Sequence, residues 1–111
     1  MQSDEKWAKQ LSLKCNVEPR FLQLAVEELK ESCGADSRTS KEIIEELTTT
    51  CHLDEKELRE FIKEVAKNCP LDIKELHKEV TNAEGSKEKA FQAVQTVMGD
   101  TDLRKRTSRT I

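Results

Sequence analysis

Residues 51–69 read CHLDEKELREFIKEVAKNC, and the pattern of this stretch recurs on both sides of it. The four cysteines of the chain stand 18 residues apart, at Cys15, Cys33, Cys51 and Cys69. Blocks aligned on these cysteines share an acidic residue at the fourth position and apolar residues at the third, twelfth and fifteenth. We interpret the chain as a tandem repeat of about 18 residues in which each unit is one helix and one tight turn.

The acidic residues at the fourth position of the blocks, here called the acidic column, are Glu18, Asp36, Asp54 and Asp72, and each is predicted to start a helix. A carboxylate at an N-cap accepts hydrogen bonds from the free backbone N–H groups of the first turn and favours the positive end of the helix dipole. Pro19 falls directly after Glu18, at the first helical position, where its missing N–H costs nothing. Two pairs resemble capping boxes, Asp54 with Glu57 and Asp72 with Glu75. Three apolar pairs have the spacing of hydrophobic staples, Val17 with Leu22, Leu53 with Leu58 and Leu71 with Leu76.

These signals predict an all-α fold of six short amphipathic helices, arranged as a compact bundle or a short superhelical array. The predicted ranges are 4–14, 19–32, 40–49, 55–68, 73–81 and 87–98. The third helix is expected to start late, because Thr39 and Glu42 form a capping box, and to fray at its threonines. Gly34 is expected to end the second helix in a left-handed conformation, and Gly99 is expected to close the sixth. Phe61 belongs to the apolar face of the fourth helix and is expected in the core.

Composition fits such a domain. The chain has 111 residues, of which 37% are charged and 35% apolar, which suits helices that are buried on one side and wet on the other. We expect a single helical domain over residues 1–99. No apolar run approaches the roughly 20 residues of a membrane span, and the first residues lack the apolar centre of a signal peptide. The sequence therefore predicts a soluble, intracellular protein of the cytoplasm or nucleus.

The cysteines are expected to be structural. If successive helices are antiparallel, Cys15 and Cys51 lie at one end of the array and Cys33 and Cys69 at the other, roughly 20 Å away. That separation excludes one four-cysteine zinc site, and no CxxC pair offers a local one. We expect each cysteine to be a small buried residue that closes a helix. A Cys15–Cys51 or Cys33–Cys69 disulfide and a redox or nucleophilic role are the alternatives.

The last residues of the chain are basic, whereas the rest of the chain is acidic. Residues 103–111 include Arg104, Lys105, Arg106 and Arg109 and no acidic residue, a charge of +4 against −7 for residues 1–102. We expect a disordered basic tail over residues 100–111, or part of something longer. In a functional interpretation these four residues bind phosphate or an acidic partner, or the tail is phosphorylated at Thr107 or Ser108.

Motifs for catalysis are missing from the sequence. His52 and His77 are the two histidines, and neither has a partner at the spacing of metal ligands. His52 adjoins Cys51, but adjacent residues on a turn point apart, which argues against a Cys–His dyad. The three glycines are isolated, so no phosphate-binding loop is present. We therefore predict no enzyme activity, no cofactor and no metal.

The remaining interpretation is a helical adaptor or scaffold domain. Stacked helices make grooves and surfaces that receive another protein or peptide. Trp7 is expected to anchor the core, with a partner-binding role as the alternative. The acidic body would repel nucleic acid, so the alternative function is weak nucleic-acid or phosphate binding through Arg104, Lys105, Arg106 and Arg109. The sequence names neither the partner nor the oligomeric state.

Overall fold

A computed structural model describes the backbone of residues 2–69 and 71–110 and the side chains of residues 5–69 and 71–98. Within these residues the chain is all-helical and contains no strand. The helices pack into one compact globule around a single apolar core, which confirms the predicted fold class. Their bounds are α1 Gln2–Ser12, α2 Pro19–Cys33, α3 Ser37–Glu45, α4 Glu55–Lys67, α5 Ile73–Asn82 and α6 Lys87–Thr110.

Four consecutive helices start in the acidic column. The N-cap residues of α2 to α5 are Glu18, Asp36, Asp54 and Asp72, all with extended backbone. At α4 the capping box is complete, because the Glu57 N–H donates to Asp54 Oδ1 at 2.8 Å and the Asp54 N–H donates to Glu57 Oε1 at 3.1 Å. At α5 the Glu75 N–H donates to Asp72 Oδ1 at 3.1 Å. Carboxylate hydrogen bonds therefore cap α4 and α5, whereas Glu18 and Asp36 make no side-chain cap hydrogen bond at the starts of α2 and α3.

Two helical segments end in the same type of left-handed turn. Gly34 after α2 has φ 66°, and His52, one 18-residue step later, has φ 57°. The residue that follows each of them donates its backbone N–H six residues back, Ala35 to Leu29 O at 3.3 Å and Leu53 to Leu47 O at 3.0 Å. These bonds satisfy carbonyls that the helix end leaves free, as in a Schellman motif. The predicted terminating role of Gly34 is confirmed.

The third helix differs from its prediction at both ends. It begins at Ser37, not near residue 40, because the chain turns at Asp36 and the buried Ser40 hydroxyl donates back to Asp36 O at 2.9 Å. The threonines do not fray. They form a π-helical turn, Glu46–Thr50, in which the Cys51 N–H reaches Glu46 O at 3.0 Å, five residues earlier. The Thr48 and Thr49 hydroxyls donate to carbonyls four residues back, at 2.8 and 2.5 Å, which stabilises the wider turn.

The last helix also runs further than predicted. The prediction ended it at Met98 with Gly99 as terminator, but α6 continues to Thr110. A glycine weakens a helix by about 1 kcal/mol and does not stop it without a capping turn. The side chains of residues 99–111 lie outside the described residues, so the division into a domain over 1–99 and a basic tail stays a prediction.

The core is built from the predicted apolar stripes. Each helix from α2 to α6 contributes the residues that recur at helical spacing, and the residues before the N-caps, Val17 and Leu53, are buried as well. Phe61 is completely buried and packs edge-on against Phe91, with ring centroids 5.6 Å apart. Its predicted core position is confirmed. The buried residues of α2 are Leu22, Ala25, Val26 and Leu29, and those of α4 are Leu58, Phe61, Ile62 and Val65.

The expectation that every cysteine is a free buried residue is wrong for two of the four, and the alternative of a Cys33–Cys69 disulfide is the one that the structure shows. Cys33 and Cys69 form a disulfide, with Cα atoms 5.1 Å apart, and both are partly exposed. The reason is topological. α2 and α4 pack side by side and run in the same direction, so the residues that end them meet. Cys51 is buried with a free thiol, as expected, whereas Cys15 has a free thiol that is only partly buried.

Candidate functional site

An apolar groove lies between α2 and α4. Its floor is formed by Phe21, Leu24 and Ala25 from α2 and by Ile62 from α4, and it encloses about 240 Å³. Leu24 is 53% exposed, in contrast to the large apolar residues of the core. An exposed leucine on an apolar floor is more informative than a single surface leucine, because the neighbouring residues extend the patch.

Charged side chains line the two edges of this groove. Arg59 and Lys63 stand on the α4 edge, and Glu28 stands on the α2 edge. The Arg59 guanidinium lies over the Phe21 ring, with Cζ 5.1 Å from the ring centroid, which is cation–π geometry. Within residues 5–69 and 71–98, neither Arg59 nor Lys63 has a carboxylate at salt-bridge distance. Among the described side chains, the α4 edge therefore offers two cations without a salt-bridge partner.

The disulfide lies beyond one end of the same groove, outside the residues that line it. Cys33 is the last residue of α2, and Cys69 follows the end of α4 by two residues. Five residues separate Glu28 from Cys33, about 8 Å along the helix. The covalent bond therefore fixes the spacing of the two groove walls close to the point where the groove ends.

The sequence interpretation missed the groove residues although they carried a signal. Phe21 and Leu24 fall outside the buried stripe of α2, whose members are spaced at three and four residues. Two large apolar residues beside a complete stripe widen the apolar face beyond what the core requires. That surplus is visible in the sequence. The helix that lies opposite is not visible there, because α4 begins 22 positions after α2 ends and α3 lies between them in the chain.

Trp7 occupies a second, smaller site. Its side chain is partly buried against the core, and its indole Nε1–H donates to Glu45 Oε1 at 2.6 Å. The Lys41 Nζ lies 5.8 Å from the centre of the ring. These contacts tie α1 to α3 across 38 residues, so Trp7 acts as an anchor at the edge of the core. The adjacent recess encloses about 200 Å³ and is lined mainly by polar side chains.

The one free buried thiol is poorly suited to attack. Burial raises the pKa of Cys51, although the Gly85 backbone N–H, hydrogen-bonded to its sulfur, acts in the opposite direction. A raised pKa keeps the thiol protonated at neutral pH, and the thiolate is the nucleophile. His52 is exposed while Cys51 is buried, so the two side chains are on different sides of the turn.

The predicted basic residues cannot be placed as a site. Arg104, Lys105, Arg106 and Arg109 belong to the helical backbone of α6, but their side chains lie outside the described residues. Phosphate or nucleic-acid binding by them stays a prediction. In the described part of the chain no group of three or more His, Cys, Asp or Glu residues is arranged to hold a metal ion.

No described helix combines the length and apolar character needed to cross a membrane. Comparison of the chain with protein-family models, with curated proteins and with solved structures finds no match.

Proposed function

We propose that the domain is a non-catalytic adaptor that binds an amphipathic helix of another protein in the groove between α2 and α4. The observation that carries this proposal is the half-exposed Leu24 on an otherwise apolar floor. Burying a leucine side chain contributes about 1.5–3 kcal/mol. A partner that covers Leu24 and Phe21 gains this energy, and the free domain does not.

The size of the groove favours a peptide segment. Phe21 and Glu28 are seven residues apart on α2, so the floor is roughly 10 Å long, or two turns of a partner helix. The enclosed volume of about 240 Å³ is below the roughly 300–1,000 Å³ of pockets that enclose small molecules. Two or three apolar side chains at helical spacing match such a shallow groove, as in helix-in-groove recognition.

The charges indicate which helix fits. Arg59 and Lys63 on the α4 edge favour carboxylates on the partner, and Glu28 on the opposite edge favours a cation. Complementary edges fix the direction of the bound helix and reject a helix with the opposite charge pattern. The proposed partner is therefore a two- to three-turn amphipathic helix with acidic residues beside its apolar stripe.

The test uses two synthetic peptides of 14 residues. Both carry leucine at positions i, i+3, i+4 and i+7, and they differ in having either glutamate or lysine beside the stripe. Fluorescence anisotropy should show the acidic peptide binding at least ten-fold more tightly than the basic one. Reversing both cations, with Arg59→Glu and Lys63→Glu in one variant, should invert this preference.

A matched pair of variants locates the binding. Leu24→Gln should weaken binding of the acidic peptide about ten-fold or more, since it removes apolar area from the floor. Leu13→Gln is the control, because Leu13 is 88% exposed and lies at the end of α1, away from the groove. Equal effects of the two substitutions, or no binding of either peptide to the unmodified domain, would disprove the proposed function.

We also infer that the groove-forming helices descend from copies of one 18-residue unit. Support comes from the spacing of the four N-caps and from the left-handed turns at Gly34 and His52, all in one register. The disulfide joins residues 36 positions apart, which is two such units. On this view α2 and α4 are equivalent elements, which is why they run in the same direction and leave a groove between them.

A further inference from the structure

We propose that the Cys33–Cys69 disulfide is a redox switch for the groove, which binds its partner in the oxidised state and binds it less tightly after reduction. This inference rests on the proposed function of the groove and adds its regulation. Three observations carry it: the bond joins the two helices that form the groove walls, both cysteines are partly exposed, and the two cysteines lie against the buried core and are not part of it.

The position of the bond links it to the groove. Cys33 ends α2 and Cys69 follows α4, so the disulfide holds the C-terminal ends of both walls at a fixed distance. The last turns are otherwise held by bonds within each helix end. The Gly34 N–H donates to Lys30 O at 3.1 Å, and the Cys69 N–H donates to Ala66 O at 3.4 Å. Without the covalent tether only the packing of Cys33, Ala35 and Cys69 against the core holds these end turns together.

The rest of the domain has the means to survive reduction. Leu22, Val26 and Leu29 of α2 and Leu58, Phe61 and Val65 of α4 are buried in the core. A chain of this length buries enough surface to fold without a covalent link. Reduction therefore changes the order of the wall ends without unfolding the domain. A groove that is less ordered before binding must be ordered during it, which lowers affinity.

The chemistry needs a dithiol reductant. A thiolate of the dithiol attacks one sulfur of the exposed bond, and a mixed disulfide forms while the other cysteine leaves as a thiolate. The second thiol of the reductant then displaces the first cysteine. Two electrons pass from the dithiol to the protein, the reductant becomes a disulfide, and Cys33 and Cys69 each gain a proton. Cys51 does not take part, because it is buried and its thiol stays protonated.

Amide hydrogen exchange tests the switch without any partner. On treatment of the full chain with dithiothreitol, the amides of Gly34, Ala35, Asn68 and Cys69 should exchange about ten-fold faster. The amides of Ala83 and Ala90, at the junction of α5 and α6, should keep their rates. Equal rates at the four wall-end amides before and after reduction would refute the switch. Uniform acceleration would refute it as well, since it means that the whole domain loosens.

The second measurement is the affinity for the acidic 14-residue peptide. Reduction should weaken binding about three- to ten-fold, and a variant with both Cys33→Ser and Cys69→Ser should show the weaker affinity and no response to dithiothreitol. Cys15→Ser, which keeps the disulfide, is the matched control and should respond as the unmodified chain does. Binding that is equal in both redox states overturns the switch and leaves the groove proposal standing. Binding in neither state overturns the groove proposal, and with it the switch, even if the wall ends loosen on reduction.

Discussion

Replacing Gly34 by alanine should lower the free energy of unfolding by about 0.5–1 kcal/mol. Gly34 has φ 66°, and a Cβ at this position would meet no atom within 4 Å. The cost is therefore a backbone cost alone. An L-residue in the left-handed region loses roughly 1–2 kcal/mol, and the stiffer unfolded chain of alanine offsets about 0.4–1 kcal/mol of that.

Gly85 provides the stronger case of the same substitution. Its φ is 87°, and a Cβ there would lie 3.1 Å from the Thr50 carbonyl oxygen, which belongs to the π-helical turn. Backbone atoms cannot yield as a flexible side chain can, so a packing term of about 1–3 kcal/mol is added. Gly85→Ala should therefore cost about 2–3 kcal/mol, clearly more than Gly34→Ala.

His52 provides the reverse substitution. It already occupies the left-handed region with φ 57° although it carries a side chain. His52→Gly should stabilise the domain by about 0.5 kcal/mol, since the strain relieved slightly exceeds the extra entropy of the unfolded chain.

Urea denaturation followed by circular dichroism measures all three variants, with an unchanged m-value as the sign that the surface exposed on unfolding is the same. The reasoning fails if Gly34→Ala is neutral or stabilising, because Gly34 would then not be left-handed. It also fails if Gly85→Ala costs no more than Gly34→Ala, because the close approach to Thr50 would be absent.

Phe61→Ala should lower the free energy of unfolding by about 3–5 kcal/mol, since it leaves a cavity beside Phe91. Thermal unfolding measures this loss, and a loss of less than about 1 kcal/mol would contradict the core position of Phe61. Iodoacetamide at neutral pH should label Cys15 well before Cys51, as mass spectrometry of the digested protein would show. Burial raises the pKa of Cys51, so this thiol ionises at a lower pH in the unfolded chain than in the folded one. The free energy of unfolding should therefore fall as the pH rises above about 8.5. Truncation after Gly99 should abolish any salt-sensitive binding of nucleic acid and leave peptide binding in the groove unchanged; DNA or RNA binding that survives truncation would rule out the tail as its source.

Helix positions were predictable because their causes are local. Asp54 and Glu57 form their capping box within four residues. The apolar stripe that contains Phe61 has helical spacing in the sequence, whichever helix it packs against. The errors were local as well. Thr48 supports a wider turn instead of fraying, and Gly99 lies inside α6 because an isolated glycine does not end a helix without a capping turn.

Only the α2 side of the groove could have been predicted from the sequence. Phe21 and Leu24 could have been noticed as apolar residues outside the buried stripe of α2. Arg59 could not have been assigned to the same groove, because it is read as one of many charges on the wet face of α4. Its position over the Phe21 ring depends on how two distant helices pack, and no spacing within either helix records that.

By itself the sequence determined the helical fold class, the starts of α2, α4, α5 and α6 and the residues of the core, since each follows from bonds and spacings of a few residues. Tertiary structure decided which helices are neighbours, and with that the groove, the contact of Trp7 with Glu45 and the pairing of Cys33 with Cys69. The difference is physical. Capping and periodicity are short-range interactions that each segment carries along the chain, whereas a groove or a disulfide exists only after packing has brought two distant segments into contact.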